Sequence, residues 1–157
     1  MRADTRNMRC PSWFASVSLC LLLSLAGCLS AGNGKMPAAI PLTDITWQWI
    51  ESLEQESGAK TTVPNPENYT IVFRTDGTFR GKADCNLIGG SYANAEGFKI
   101  IPGISTKAYC GENSLDQKYL EGLGRARAGG QDGSGHLTLE SAGGATRMMF
   151  RNGGTAP

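Results

Sequence analysis

Few side chains in this sequence have reactive potential: Cys28, Cys85 and Cys110 among five cysteines, the single His136, and the carboxylates Asp76, Asp84, Glu112 and Asp116. A cysteine nucleophile needs a base, usually histidine, and a third group to orient it. His136 stands at the start of an expected strand, and nothing in the spacing brings it to Cys85 or Cys110. A metal centre needs three or four ligands at usable spacing, and two cysteines with one distant histidine are not such a set. A redox dithiol needs C-x-x-C at a helix start, whereas Cys85 and Cys110 are far apart. The carboxylates are spread over turn, strand and cap positions, which leaves a glycosidase-type pair open without favouring it. "QDGSG", Gln131 to Gly135, is too short for a calcium loop and reads as a turn. The sequence therefore predicts no catalytic residue, no metal and no cofactor.

The start of the chain decides what the cysteines are for. Arg2, Arg6 and Arg9 form a positive n-region, and roughly Trp13 to Ala26 forms an apolar h-region. That run is shorter than the 18–20 or so apolar residues a membrane-spanning helix needs. It ends in "LAGC", Leu25 to Cys28, which resembles the lipobox of bacterial lipoproteins. The resemblance implies a signal peptide at 1–27, cleavage before Cys28 and lipid on its thiol. Cys10 and Cys20 would leave with the leader, so Cys85 and Cys110 remain in an oxidising compartment and read first as a disulfide. The leader also removes three arginines and one aspartate, which takes the formal charge from +1 to −1. A near-neutral chain has no electrostatic footprint for nucleic acid. An asparagine sequon, "NYT" at Asn68 to Thr70, has no glycosylation role in a bacterial setting.

The elements expected to carry these groups are mostly strands. Residues 28–43 are rich in Gly, Pro and small side chains and read as a lipidated N-terminus and flexible tether. One domain follows at 44–152, then a disordered tail at 153–157. "ITWQWIES" alternates with period two, and Trp47 and Trp49 are expected in the core rather than in a ligand pocket. In "YTIVFRTDGTFRGKA" a two-residue Asp76-Gly77 turn would mix the two faces. A three-residue loop, Thr75 to Gly77, sets Phe73 opposite Phe79 and Tyr69 opposite Ala83, with Gly77 at positive φ. The last hairpin takes a two-residue Gly143-Gly144 turn, pairing Leu139 with Met148, Leu137 with Phe150 and Glu140 with Arg147. "GFKIIPG" is a further strand. A helix over about 114–128 starts from a capping box formed by Ser114 and Gln117, buries Leu115, Tyr119, Leu120 and Leu123, and stops at Gly129-Gly130. Asn86 and Gly90 read as turn residues where the strand bends toward Tyr92.

The series "TWQWIES", "YTIVFRTDGTFRGKADCNLIGGSY", "STKAYC", "SLDQKYLEGL" and "HLTLESAGGATRMMF" resembles the META/HslJ family of bacterial envelope proteins. The DG turn, the "DCN…GSY" segment and the cysteine after "STKAY" are its most specific parts. The sequence departs from the family at "RAGGQDGSG", where a more apolar strand is usual. The resemblance implies a mostly β, α+β fold: a small antiparallel β-barrel, lipocalin-like in outline, with one packed helix. It also implies membrane association and a link to heat or antibiotic stress, without an established catalytic activity. The functional expectation is a monomeric, lipid-anchored binding or inhibitor module of the outer membrane, facing the periplasm. Its target would be a periplasmic protein or a small amphiphile. A carboxylate-dependent hydrolase in the barrel mouth and a purely structural envelope role are the alternatives.

Overall fold

Apolar residues at every second position turn Ile45–Glu54 into the long strand β1, whose Ile45, Trp47 and Trp49 face inward. A bulge between Trp49 and Glu51 then shifts the phase, so Ser52 points in and accepts a hydrogen bond from the Trp49 indole at 3.1 Å. The computed structural model describes residues 41–94 and 97–157. The expected signal peptide, the Cys28 lipidation site and most of the tether lie outside the described residues.

The other elements are β2 (Lys60–Thr62), a 3-10 turn at Pro66–Asn68, β3 (Tyr69–Phe73), β4 (Thr78–Ala83), β5 (Asn86–Ala93) and β6 (Lys99–Ser105). Helix α1 (Asp116–Arg125) follows, then β7 (Ala126–Gln131), β8 (Leu137–Ser141) and β9 (Thr146–Thr155). One antiparallel sheet runs β6-β5-β4-β3-β1-β9-β8-β7, with β2 paired to the far end of β1. The sheet curls into a half-barrel with α1 as the single α-helix among the described residues, which is the mostly β fold expected. The first and last strands are neighbours at its centre. At its two ends, the Phe98 ring lies where a Cβ on Gly129 would stand 3.0 Å away.

The interior is filled with side chains. Trp47, Trp49, Phe73, Tyr119 and Phe150 are all inaccessible to solvent. Trp49 stacks on Tyr119 with ring centroids 5.3 Å apart, and Tyr69 meets both edge-on. Burial also sets the β3–β4 register: Phe73 pairs with Phe79, Ile71 with Gly81 and Tyr69 with Ala83. Gly77 closes the loop with φ 82°. In the last hairpin Leu137 pairs with Phe150 and Glu140 with Arg147. The connection is broader than two residues, Ala142 to Ala145, with Gly143 and Gly144 both at positive φ.

Further expectations need correction. Helix α1 ends at Arg125 rather than near 128, because Ala126–Gln131 pairs with β8 as an edge strand, although "RAGGQDGSG" is less apolar than the family's usual strand here. Its N-cap is Leu115 and no capping box forms: Ser114 Oγ accepts from the Asp116 N–H at 3.2 Å, and the Gln117 N–H goes to Asp116 Oδ1 at 2.7 Å. Residues 153–155 are not a disordered tail, since β9 continues to Thr155 and pairs with Ile45. Gly90 is a strand residue rather than a turn. It sits beside a bulge in the β5–β6 pairing, where a Cβ would come within 2.3 Å of the Ile101 carbonyl.

Candidate functional site

The Asp84-Cys85 dipeptide is a two-residue turn between paired Ala83 and Asn86, with Asp84 at φ 59°. This places Cys85 at the hairpin tip, and the disulfide to Cys110 spans Cα atoms 5.6 Å apart. Asn86 is therefore not in the turn. It opens β5, faces inward and is only 3% exposed. Its Oδ1 accepts from the Ala108 N–H at 2.8 Å and the Thr106 hydroxyl at 3.0 Å. Its Nδ2 donates to the Ala108 carbonyl at 3.1 Å and points at Cys110 Sγ and Asp116 Oδ2. One amide thus holds both sides of a backbone segment that has no sheet partner, which needs a donor and an acceptor in the same side chain. The signal was available: an asparagine in phase with buried Ile88 belongs to the inward face.

Beside this clamp lies a cleft of about 530 Å³ between the Pro64–Asn68 turn and the Cys110–Ser114 segment. Tyr69, Asp84, Glu112 and Ser114 line it. The Tyr69 hydroxyl accepts from the Leu115 N–H at 2.9 Å and donates to Asp84 Oδ2 at 3.2 Å. Burial first, and then the Asp84 charge, push this phenol above its usual range, against the opposing hydrogen bonds from Leu115 and Ser114. Asp116 is engaged with Asn86 and the helix start. Asp76 lies in the β3–β4 loop, where the Thr78 hydroxyl and N–H hold its carboxyl below the ordinary carboxylate range. Of the four carboxylates singled out, Asp84 and Glu112 share the cleft, and Asp76 is remote from it.

His136 is not brought to either cysteine. It forms a local cluster with Asp132 and Ser134 in the β7–β8 loop: Ser134 Oγ lies 2.8 Å from His136 Nδ1, and Asp132 Oδ2 lies 3.5 Å from the same nitrogen. A catalytic triad sets its acid and its nucleophile on opposite ring nitrogens; here both meet Nδ1. Asp132 Oδ1 also accepts from the backbone N–H groups of Ser134 and His136, so the cluster staples a loop. Among the described residues no group of His, Cys, Asp or Glu could hold a metal ion.

Tyr119 was expected only as a core residue, yet among the described residues its buried hydroxyl has no hydrogen-bond partner. Burial raises this phenol well above 10.0. Tyr119→Phe removes the unsatisfied hydroxyl at nearly equal volume and is expected to stabilise the fold by about 1 kcal/mol at pH 7. The raised phenol contributes stability that is complete below the unfolded-state value near 10 and lost as pH rises above it. Urea unfolding at pH 7 and pH 11 should therefore show a smaller alkaline loss in Tyr119→Phe than in the parent. Equal stability of the two proteins at both pH values would refute this.

These features lie on a fold with relatives. A family model for the META domain matches residues 41–154, most of the chain and all of the strands but the last residue of β9. The chain belongs to the META domain family. The META domain is similar in fold to a DUF4847 family protein from Bacteroides vulgatus, with a TM-score of 0.53 and 16% identity over 70% of this chain and 93% of that one. It is similar also to a protein from Burkholderia xenovorans solved by NMR, with a TM-score of 0.55 and 20% identity over 71% of this chain and 83% of that one. No curated protein matches the chain. The clamp, the cleft and the filled interior are thus features of one META domain.

Proposed function

We propose that the chain is a lipid-anchored bacterial envelope protein whose META domain binds a target on its surface and carries out no reaction. The packed interior carries this reading, because the large side chains of Trp47, Trp49, Tyr119 and Phe150 all point into it and are fully buried. The module would be a monomer of the outer membrane, facing the periplasm, and would bind or inhibit its target under envelope stress. Among the described residues no helix is long and apolar enough to cross a membrane; the proposed attachment is lipid on Cys28. Multiple acyl chains on one cysteine suffice for firm anchoring. In Cys28→Ala, unprocessed precursor should accumulate, and the lipid mass should vanish from the purified chain. Normal processing and membrane fractionation of that variant would overturn the anchor. Capture of periplasmic proteins and amphiphiles by the parent tests the binding role, and an empty capture counts against it.

The hydrolase alternative has one observation in its favour, the shared cleft of Asp84 and Glu112. The tie from Tyr69 to Asp84 argues against it, since a carboxylate in that position holds a hydroxyl that in turn holds the helix entry. Turnover of a glycoside or ester that is abolished in Glu112→Gln would restore it.

A further inference from the structure

Strands β3 to β6 contain no aspartate or glutamate, yet they carry Arg80, Lys82 and Lys99. Alternation puts these cations outward, because Phe79, Ala83, Ile88 and Ile100 occupy the buried positions between them. The same outer face bears three of the four large exposed hydrophobic residues among those described: Leu87, Ile101 and Ile104, at 63%, 47% and 82% exposure. Leu87 pairs with Lys82 and Ala93 with Lys99, and Ile104 lies over Gly89, where a Cβ would stand 3.7 Å from its Cγ1. Cations and aliphatic side chains are therefore interleaved on one surface. A groove of about 480 Å³ crosses it, with Val72 and Leu87 on its apolar lining and Arg80 and Lys82 among its walls. Arg80 donates to a terminal carboxylate oxygen of Pro157 at 2.5 Å, and Lys82 reaches the Asn68 amide oxygen at 3.4 Å. Among the described residues neither Lys82 nor Lys99 has a carboxylate partner.

We infer that this outer face of β4, β5 and β6 lies against an anionic phospholipid surface. The inference deepens the anchored-module reading and rests on it only for proximity to lipid. Aliphatic residues that enter the headgroup region, flanked by lysines that meet phosphates, are the chemistry of interfacial binding. The chain also arrives at this face. Thr43 bridges to Phe73, the Asp44 N–H donates to the Phe73 carbonyl, and Thr46 lines the groove. Only 12 residues separate Cys28 from Pro41 in the sequence, so a lipid on Cys28 would keep this margin of the domain close to the bilayer. A protein partner adding a strand is the weaker occupant: β6 is the edge of the sheet, but Pro102 and the bulge facing Ile88–Gly90 interrupt its ladder.

The test uses the full chain, purified from bacterial membranes and reconstituted into phosphatidylcholine vesicles with or without phosphatidylglycerol. A reporter is placed on the face by Ile104→Trp and away from it by Arg125→Trp on α1. Brominated acyl chains should quench Ile104→Trp and blue-shift its emission in the phosphatidylglycerol vesicles, and leave Arg125→Trp unchanged. Adding Lys82→Glu and Lys99→Glu should reduce the contact by about fivefold per lysine removed. Equal quenching at the two positions, indifference to phosphatidylglycerol, or full quenching in the glutamate variants would each overturn the proposal. So would an Ile104→Trp that stays water-exposed on vesicles and shifts only with periplasmic extract, which would assign the face to a protein. Lipid on Cys28 is read separately from the mass of the chain. If it is missing, the same quenching is measured with the chain added to preformed vesicles, so the anchor can fail while the face is still tested.

Discussion

Replacing Cys85 and Cys110 together by alanine is expected to lower the unfolding free energy by about 3–4 kcal/mol. The two cysteines are 25 positions apart, and closing a loop of that length restricts the unfolded chain by about this amount in the chain-entropy model. The folded state contributes a second part. The bond fixes the 106–110 segment, which is otherwise tied to the β5 edge by the Asn86 amide and the Thr106 contacts with Leu87. Domains of this size are stable by about 5–15 kcal/mol, so the loss is large without abolishing the fold. Urea titrations of the variant and the parent should show it as a lower midpoint, and dithiothreitol should lower the parent and leave the variant unmoved. A variant within about 1 kcal/mol of the parent would refute the assignment of this bond as the domain's main covalent support.

Gly81→Ala should be at least as damaging, at about 3 kcal/mol or more, through a different cause. Gly81 pairs with Ile71 in the middle of β4, and a Cβ there would sit within 3 Å of both the oxygen and the carbon of the Thr70 carbonyl. The obstacle is backbone in a central strand, so no rotamer change can relieve it; β3 and β4 would have to part, breaking ladder hydrogen bonds. Gly130→Ala is the matched control, since nothing lies within 4 Å of its Cβ position. That substitution should be neutral or slightly stabilising, because glycine in a strand costs about 0.5–1 kcal/mol in entropy. Similar midpoints for the two variants would show that the Gly81 approach is softer than its geometry.

What could be read in the sequence was whatever burial alone decides. Phe73 and Phe79 must share a face, and that requirement sets the odd loop and the whole β3–β4 register. Leu137, Leu139, Met148 and Phe150 do the same for the last hairpin. What could not be read depends on partners distant in the chain. Residues 153–155 lack a strand pattern and form one because Ile45 offers them a ladder. Ala126 to Gln131 looks like the end of a helix because Ala and Arg favour helices, but backbone pairing with β8 overrides a weak propensity. Gly90 looks like a turn because the close approach of Ile101 is a tertiary fact. In the candidate site, the Cys85–Cys110 pairing follows from compartment and count. The role of Asn86 does not, since its partners Thr106 and Ala108 lie in a segment without periodicity.

The adjacency of β1 and β9 sets the order in which this domain can assemble. Glu54 meets Thr146 and Gln48 meets Arg151, contacts that span 92 and 103 positions. The β3–β4 and β4–β5 hairpins, by contrast, close over tight loops and can form as soon as their own residues are available. A chain threaded through a membrane with its N-terminus leading would deliver β1 first and its central partner last. Until β9 emerges, Trp47 and Trp49 have no Phe150 to pack against, and long-range pairings of this kind slow folding. In such a passage the central pairing of the sheet would wait for the arrival of the final strand.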